Sequence, residues 1–235
     1  MNLLLPPPLL LLVVSLALAL PALGLALQGA PWRQLVATQQ RQHAFFAAIL
    51  VLGLFWLLQV EVRDSLGFHP MLMAVVTMIF GWHLALIIGA LALVALQVYR
   101  LALWGSLDGW LEAWQGLNPA ALPVDFVLSV LVPASWTLLV LYLVDRWSFK
   151  NPFTFFLGAG FFGAMLSCLW MGAAAFALFY LTGSAAPLAV VHEHGLLFVL
   201  MMFPEGFCNG ALATVFTVLW PDMVKTYRDE WYLGD

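Results

Sequence analysis

The chain reads as long apolar runs separated by short polar interruptions. These runs cover 3–28, 44–60, 83–103, 122–144, 153–181 and 195–219, and a shorter one at 66–80 is fused to its successor through Gly81-Trp82-His83. A helix needs roughly 20 apolar residues to cross the hydrocarbon core of a bilayer. Read as one helix, 70–98 is too long without strong tilt. A break near Gly81 is therefore expected, with the short segment before it reaching back to Ser65. The pattern predicts an all-α, polytopic membrane helical bundle of about seven transmembrane helices. No internal repeat and no Gly/Ser-rich or charged linker divides it, so residues 1–235 are expected to form a single integral membrane domain.

Charge supplies an orientation, because Lys and Arg favour the cytoplasmic side. With the break at Gly81 and the N-terminus outside, Arg33, Arg41, Arg146, Lys150, Lys225 and Arg228 fall inside, against Arg63 and Arg100 outside. The C-terminus is then cytoplasmic. The opening MNLLLPPPLLLLVV lacks the positive n-region of a signal peptide and is interrupted by Pro6, Pro7 and Pro8. It is expected to be a retained first helix whose apolar part begins near Leu9. The amphipathic stretch 29–43 is expected at the inner surface. Trp104, Trp110 and Trp114, with Asp108 and Glu112, mark 104–121 as an interfacial segment on the outer side.

Composition narrows the function. Hydrophobic residues make up 64% and charged residues 9%, against roughly 25% charged in soluble domains. A soluble enzyme, a disordered chain and a disulfide-rich secreted domain are excluded. A net charge of −4 without a basic stripe argues against a nucleic-acid partner. Cys168 and Cys208 lie in apolar runs and are expected to be packing residues. Residues 158–163 read GAGFFG, a literal dinucleotide fingerprint, but the strand and βαβ unit that give it meaning are missing. With Ser167 and Gly172 these glycines instead form a small-residue surface for close helix approach. No P-loop, HExxH, CxxC or nucleophile motif is present, so the chain is not expected to be an enzyme.

Polar residues carry the most information in so apolar a chain. Glu61, Asp64 and His69, in EVRDSLGFHPMLM, form one group, with Met71 and Met73 close behind. Imidazole suits Ni, Co, Cu and Zn, carboxylates can complete a shell, and thioethers favour Cu(I). His192, Glu193 and His194 form a second group before the last apolar run. Two His at i and i+2 cannot both ligate from one regular helix face, but an extended entry loop would allow it. The alternative is a polar helix start. Glu205 lies well inside the last run between Pro204 and Gly206, with Asn209 one turn on. It suits either a cavity or a hydrogen bond to a neighbouring helix. His43 and His83 are expected to be interfacial or packing residues.

The stretch FHPMLMAVVTMIFGWHLALIIGALAL resembles a region of cobalt/nickel-type energy-coupling factor (ECF) transporter membrane proteins, the CbiM/NikM type. GLNPAALPVDFVLSVLVP, which contains Asn118, is similar to the segment that follows in that family. FLGAGFFGAMLS and FPEGFCNGALATVFTVLWPDMVKTYRDEWYLG resemble the last two helices and tail of its proteobacterial permease branch. The resemblance covers roughly 66–100 and 116–235. It implies a substrate-binding permease component in the bacterial inner membrane that captures Ni or Co from outside, with a coupling protein and cytoplasmic ATPases as partners. It also implies that His69 is a metal ligand.

One departure bears on that expectation. The family begins Met-His-Ile, and its second-position His and terminal amine bind metal, whereas this chain begins Met1-Asn2-Leu3. The terminal amine remains, but Asn2 is a weaker donor than imidazole. His192, His194, Glu61 or the methionines would then complete the shell, with Cu or Zn as further cargo. Alternatively, the scaffold serves as a structural or accessory subunit of a larger membrane complex. A membrane-embedded metal hydrolase is a third option, with no recognised ligand spacing behind it.

Overall fold

The computed structural model describes residues 1–107, 109–148 and 151–227. Asp108, Lys150, Arg228 and the acidic end of the tail lie outside the described residues. The protein is mostly helical. Strand β1 (Asn2–Leu3) precedes α1 (Leu9–Gly29), α2 (Trp32–Ala37) and α3 (Gln39–Phe55). A hairpin of β2 (Val60–Val62) and β3 (Leu66–Phe68) leads into α4 (Met73–Leu107) and α5 (Trp110–Gln115). A helical run then passes through α6 (Leu122–Phe126), a wide π turn (Val127–Leu131) and α7 (Val132–Arg146). A second π stretch (Thr154–Gly163) continues into α8 (Ala164–Leu181), followed by α9 (Ala185–Glu193) and α10 (Leu196–Leu219).

Five helical stretches among the described residues are long and apolar enough to cross a membrane: Leu9–Gly29, Met73–Leu107, Trp110–Arg146, Thr154–Leu181 and Leu196–Leu219. That is compatible with a polytopic helical membrane protein. Helix α1 starts at Leu9, immediately after the prolines, whose fixed φ and missing N–H donors hold the preceding chain extended. Its buried residues, Leu11, Ser15, Ala19, Ala22 and Ala26, recur every three or four positions and form one face against α4 and α6. Leu9, Leu10, Leu18, Leu20, Leu25 and Leu27 are exposed, as suits a lipid-facing surface.

Helix α4 is broken at Gly81, which has φ 75° and ψ 163°. That region of backbone space is nearly closed to side chains bigger than hydrogen. The half-helix before the break is buried at every position from Met73 to Phe80. Its orphaned carbonyls are met from the chain's end: Lys225 N–H donates to Ile79 O (2.9 Å) and Thr226 Oγ1 donates to Met78 O (2.8 Å). The small-residue surface packs on α10, where a Cβ at Gly160 would lie 3.3 Å from Ala213 Cβ and 3.4 Å from Gly210 Cα. Cys168 and Cys208 are free thiols.

Two expectations are corrected. The segment before the break does not reach back to Ser65 as a helix; it begins at Met73. Residues 66–68 instead form the central strand of an antiparallel sheet in the order β1-β3-β2. Pro70 also disfavours helix at the residue before it, His69. Likewise, His192 and Glu193 form neither an extended loop nor a helix start, but the last turn of α9.

Candidate metal centre

The sheet draws the amino terminus into the bundle. Asn2 pairs with Gly67 and Leu3 with Leu66, while Val60, Glu61 and Val62 pair with Phe68, Gly67 and Leu66 on the other side. The hairpin turns through Arg63, Asp64 and Ser65; Arg63 and Asp64 have positive φ (51° and 49°), and Ser65 N–H donates to Val62 O at 3.1 Å. The facing wall is the stretch 118–129. Asn118 Nδ2 donates to the carbonyls of Leu3, Leu4 and Leu5, the last at 2.9 Å. Leu3 N–H donates to Asp125 Oδ1 at 2.7 Å. Ser129 Oγ accepts from the Met1 amine and donates to Met1 O, both at 2.6 Å.

At the centre, the Met1 amino nitrogen lies 2.8 Å from His69 Nε2, and Asn2 Oδ1 lies 3.2 Å from that same Nε2. Met1 is 1% exposed and His69 is fully buried. Trp56 lies against the imidazole, with ring centroids 5.2 Å apart, and its Nε1 donates to Met71 O at 3.2 Å. Burial lowers the Met1 amine from its ordinary value of 8.0 to about 5, although the carboxylates of Asp125 and Glu205 pull the other way. His69 is held well below 6.5, first by burial and next by the charge of the amine. Both nitrogens are therefore neutral lone-pair donors near pH 7.

One contact of this site brings two acceptors together. His69 Nδ1 lies 3.1 Å from Pro70 O, an acceptor, so the proton of a neutral ring belongs there. Nε2 then accepts from the Met1 amine at 2.8 Å, while Asn2 Oδ1, also an acceptor, faces that same Nε2 with no proton between them. With the proton on Nε2 instead, Nδ1 would face the Pro70 carbonyl bare. A cation placed among the amine, Nε2 and Oδ1 would take up all three lone pairs and remove the acceptor-to-acceptor contact. The donor set is thus amine nitrogen, imidazole nitrogen and amide oxygen, and it suits a borderline divalent metal.

The other candidates divide. Among the described residues, no three His, Cys, Asp or Glu side chains come together to hold a metal. Glu61 is exposed and accepts from Gln59 Nε2 at 2.8 Å, which joins it to the site through one intervening residue. Asp64 is exposed at the hairpin turn, and His192 is exposed on α9. An ion pair between Arg63 and Glu193 brings the second group to the same end of the bundle as the hairpin. His194 is half-buried, and its Nδ1 is buried without a hydrogen-bond partner. Glu205 and Asn209 cap the half-helix that begins at Met73. Glu205 accepts from Met71 N–H and Leu72 N–H, both at 2.7 Å, and Asn209 Oδ1 accepts from Val75 N–H at 2.8 Å. Asn209 Nδ2 holds the Glu205 carboxylate at 2.8 Å. Met71 and Met73 are fully buried.

Asp125, Ser129, Gln59 and Arg100 were not among the sequence candidates. Asp125 alone carried a signal: a carboxylate set inside an apolar run. Comparison with protein-family models, with curated proteins and with solved structures finds no significant match.

Proposed function

We propose that this protein is the substrate-binding membrane component of a transition-metal uptake transporter of the ECF type, and that it takes Ni or Co as cargo. The observation that carries the reading is the meeting of three lone-pair donors, the Met1 amine, His69 Nε2 and Asn2 Oδ1, in one buried place, two of them acceptors in contact with no proton between. Asn2 contributes an oxygen donor where the resembling family has an imidazole. The set is therefore less strictly nitrogenous, and Cu and Zn join Ni and Co as cargo to test.

The finer topology belongs to the same proposal. Counting α3 and the two parts of α4 separately gives seven membrane segments in the bacterial inner membrane, with the N-terminus outside and the tail inside. Metal would then arrive from the side of the β2–β3 hairpin. A coupling protein and cytoplasmic ATPases would supply the energy, since the chain carries no nucleotide motif. Opening requires the strand pairing of β1 to loosen, because the site is sealed as it stands.

That sealing also favours the second reading, a structural subunit of a larger membrane complex in which the buried amine serves only to anchor the amino terminus. Elemental mass spectrometry separates the two. Protein purified in mild detergent without chelators, from cells grown with added metals, is expected to carry near-stoichiometric metal that His69→Ala loses. N-terminal sequencing of the same sample is expected to read Met-Asn-Leu. A metal-free wild type would favour the structural reading.

A further inference from the structure

Asn2 can serve as an oxygen donor only if its amide points the right way, and the structure contains a device that fixes the direction. Gln59 lies over the sheet, in space left by Gly67, where a Cβ would stand 2.7 Å from Gln59 Oε1. Gly67 is the residue paired with both Asn2 and Glu61 across the three strands. Gln59 Oε1 accepts from Arg100 Nη2 at 2.7 Å and from Asn2 Nδ2 at 3.1 Å, while Gln59 Nε2 donates to Glu61 Oε1 at 2.8 Å.

The polarity of this chain is forced at both ends. A guanidinium only donates, so the Gln59 atom facing Arg100 is its oxygen. A carboxylate only accepts, so the Gln59 atom facing Glu61 is its nitrogen. The same Gln59 oxygen meets Asn2, so the Asn2 atom there is the NH2 group. The remaining Asn2 atom, which faces His69 Nε2, is therefore the carbonyl oxygen. Without Gln59 the Asn2 amide is free to turn over and present N–H to the imidazole. That orientation sets an N–H donor against Nε2 and removes one metal donor.

We propose that Gln59, held by Arg100 and Glu61 and seated over Gly67, is the positioning residue that turns the Asn2 carbonyl oxygen toward His69. The inference rests on the reading of this site as a metal centre. Partners behind a ligand commonly govern metal affinity by 10- to 100-fold.

The test is a Co(II) titration of the purified full chain, read by affinity and by the ligand-field absorption of the bound ion. Wild type is compared with His69→Ala, Gln59→Met, Gln59→Glu and Gly67→Ala. Gln59→Met removes the acceptor and is expected to bind roughly 10- to 100-fold more weakly with a shifted spectrum. Gln59→Glu is made together with Glu61→Gln, so that residue 61 supplies the donor; it still accepts from both Arg100 and Asn2, and is expected to stay within about threefold of wild type with the same spectrum. Gly67→Ala leaves every polar group in place but displaces the Gln59 amide; it is expected to follow Gln59→Met and repeats the test should that variant not fold. Wild type that binds through His69, with affinity and spectrum unchanged in Gln59→Met or Gly67→Ala, would overturn the positioning role and leave the metal reading standing. Wild type that fails to bind Co(II), or binds no better than His69→Ala, would remove the metal reading and the role of Gln59 together.

Discussion

The amino nitrogen of Met1 lies 2.8 Å from Nε2 of His69, across 68 positions of sequence. A short sheet, an asparagine cradle and two buried side-chain acceptors hold it there. Burying an amine is costly unless its hydrogen bonds are met. Here they are met by Ser129 and His69, both wholly buried, so the first residue of the chain is as much a core residue as any leucine.

The amine sets a pH dependence of stability. Its folded value, about 5, lies below its ordinary 8.0. Between those limits the unfolded chain binds more protons than the folded one, so stability rises with pH through that window and levels off above it. His69, also lowered, acts with the same sign below its ordinary 6.5. Thermal unfolding in detergent is expected to show Tm climbing from about pH 7 to about pH 8, the upper part of that window. A Tm that falls over that range would show that the amine is not buried in neutral form.

Glu205 tests the cap on the half-helix. Glu205→Ala leaves the N–H groups of Met71 and Leu72 buried without acceptors. Each such loss costs about 1–3 kcal/mol, so a drop of roughly 2–6 kcal/mol is expected in denaturant unfolding. Glu205→Gln keeps one acceptor oxygen and should fall between wild type and Glu205→Ala. Equal stability of all three would contradict the capping role.

The ion pair of Arg63 with Glu193 is expected to matter little. The two side chains are 55% and 45% exposed, and pairs of that kind are worth about 0–1 kcal/mol. Glu193→Gln should leave the unfolding midpoint almost where it was, and less so at low salt than at high salt. A large loss of stability would mean that the contact latches the hairpin to α9.

Gly81 tests the break. At φ 75° and ψ 163°, a Cβ is strained whatever the space around it. Gly81→Ala is expected to cost about 1–3 kcal/mol, by the same unfolding measurement. A neutral effect would mean that α4 tolerates a straighter path there.

Much of the frame was legible. The prolines placed the start of α1, and the overlong run at 70–98 demanded a break where Gly81 supplies one. Glu205 and Asn209 stood out because a carboxylate and an amide one turn apart in an apolar run need a partner, although nothing in the sequence pointed to the backbone of 71–75. The sheet was not legible, because strands of two and three residues are too short to show alternation. Its absence from the reading hid the site. His69 was found from its chemistry, but Asn2 was weighed only as a missing imidazole and not as an oxygen donor fixed by Gln59. Arg100 was read as a topological charge, and it proves to be a buried donor to that same glutamine. His192 and Glu193 prove to close α9, with His194 following as its cap, instead of lying in an entry loop.

X-ray absorption on the Ni(II)-loaded protein reads the donor set itself. The account predicts a first shell of nitrogen and oxygen only, with the multiple-scattering signature of one imidazole that disappears in His69→Ala. A shell containing sulfur from Met71, Met73 or a cysteine, or two imidazoles drawn from His192 and His194, would contradict it.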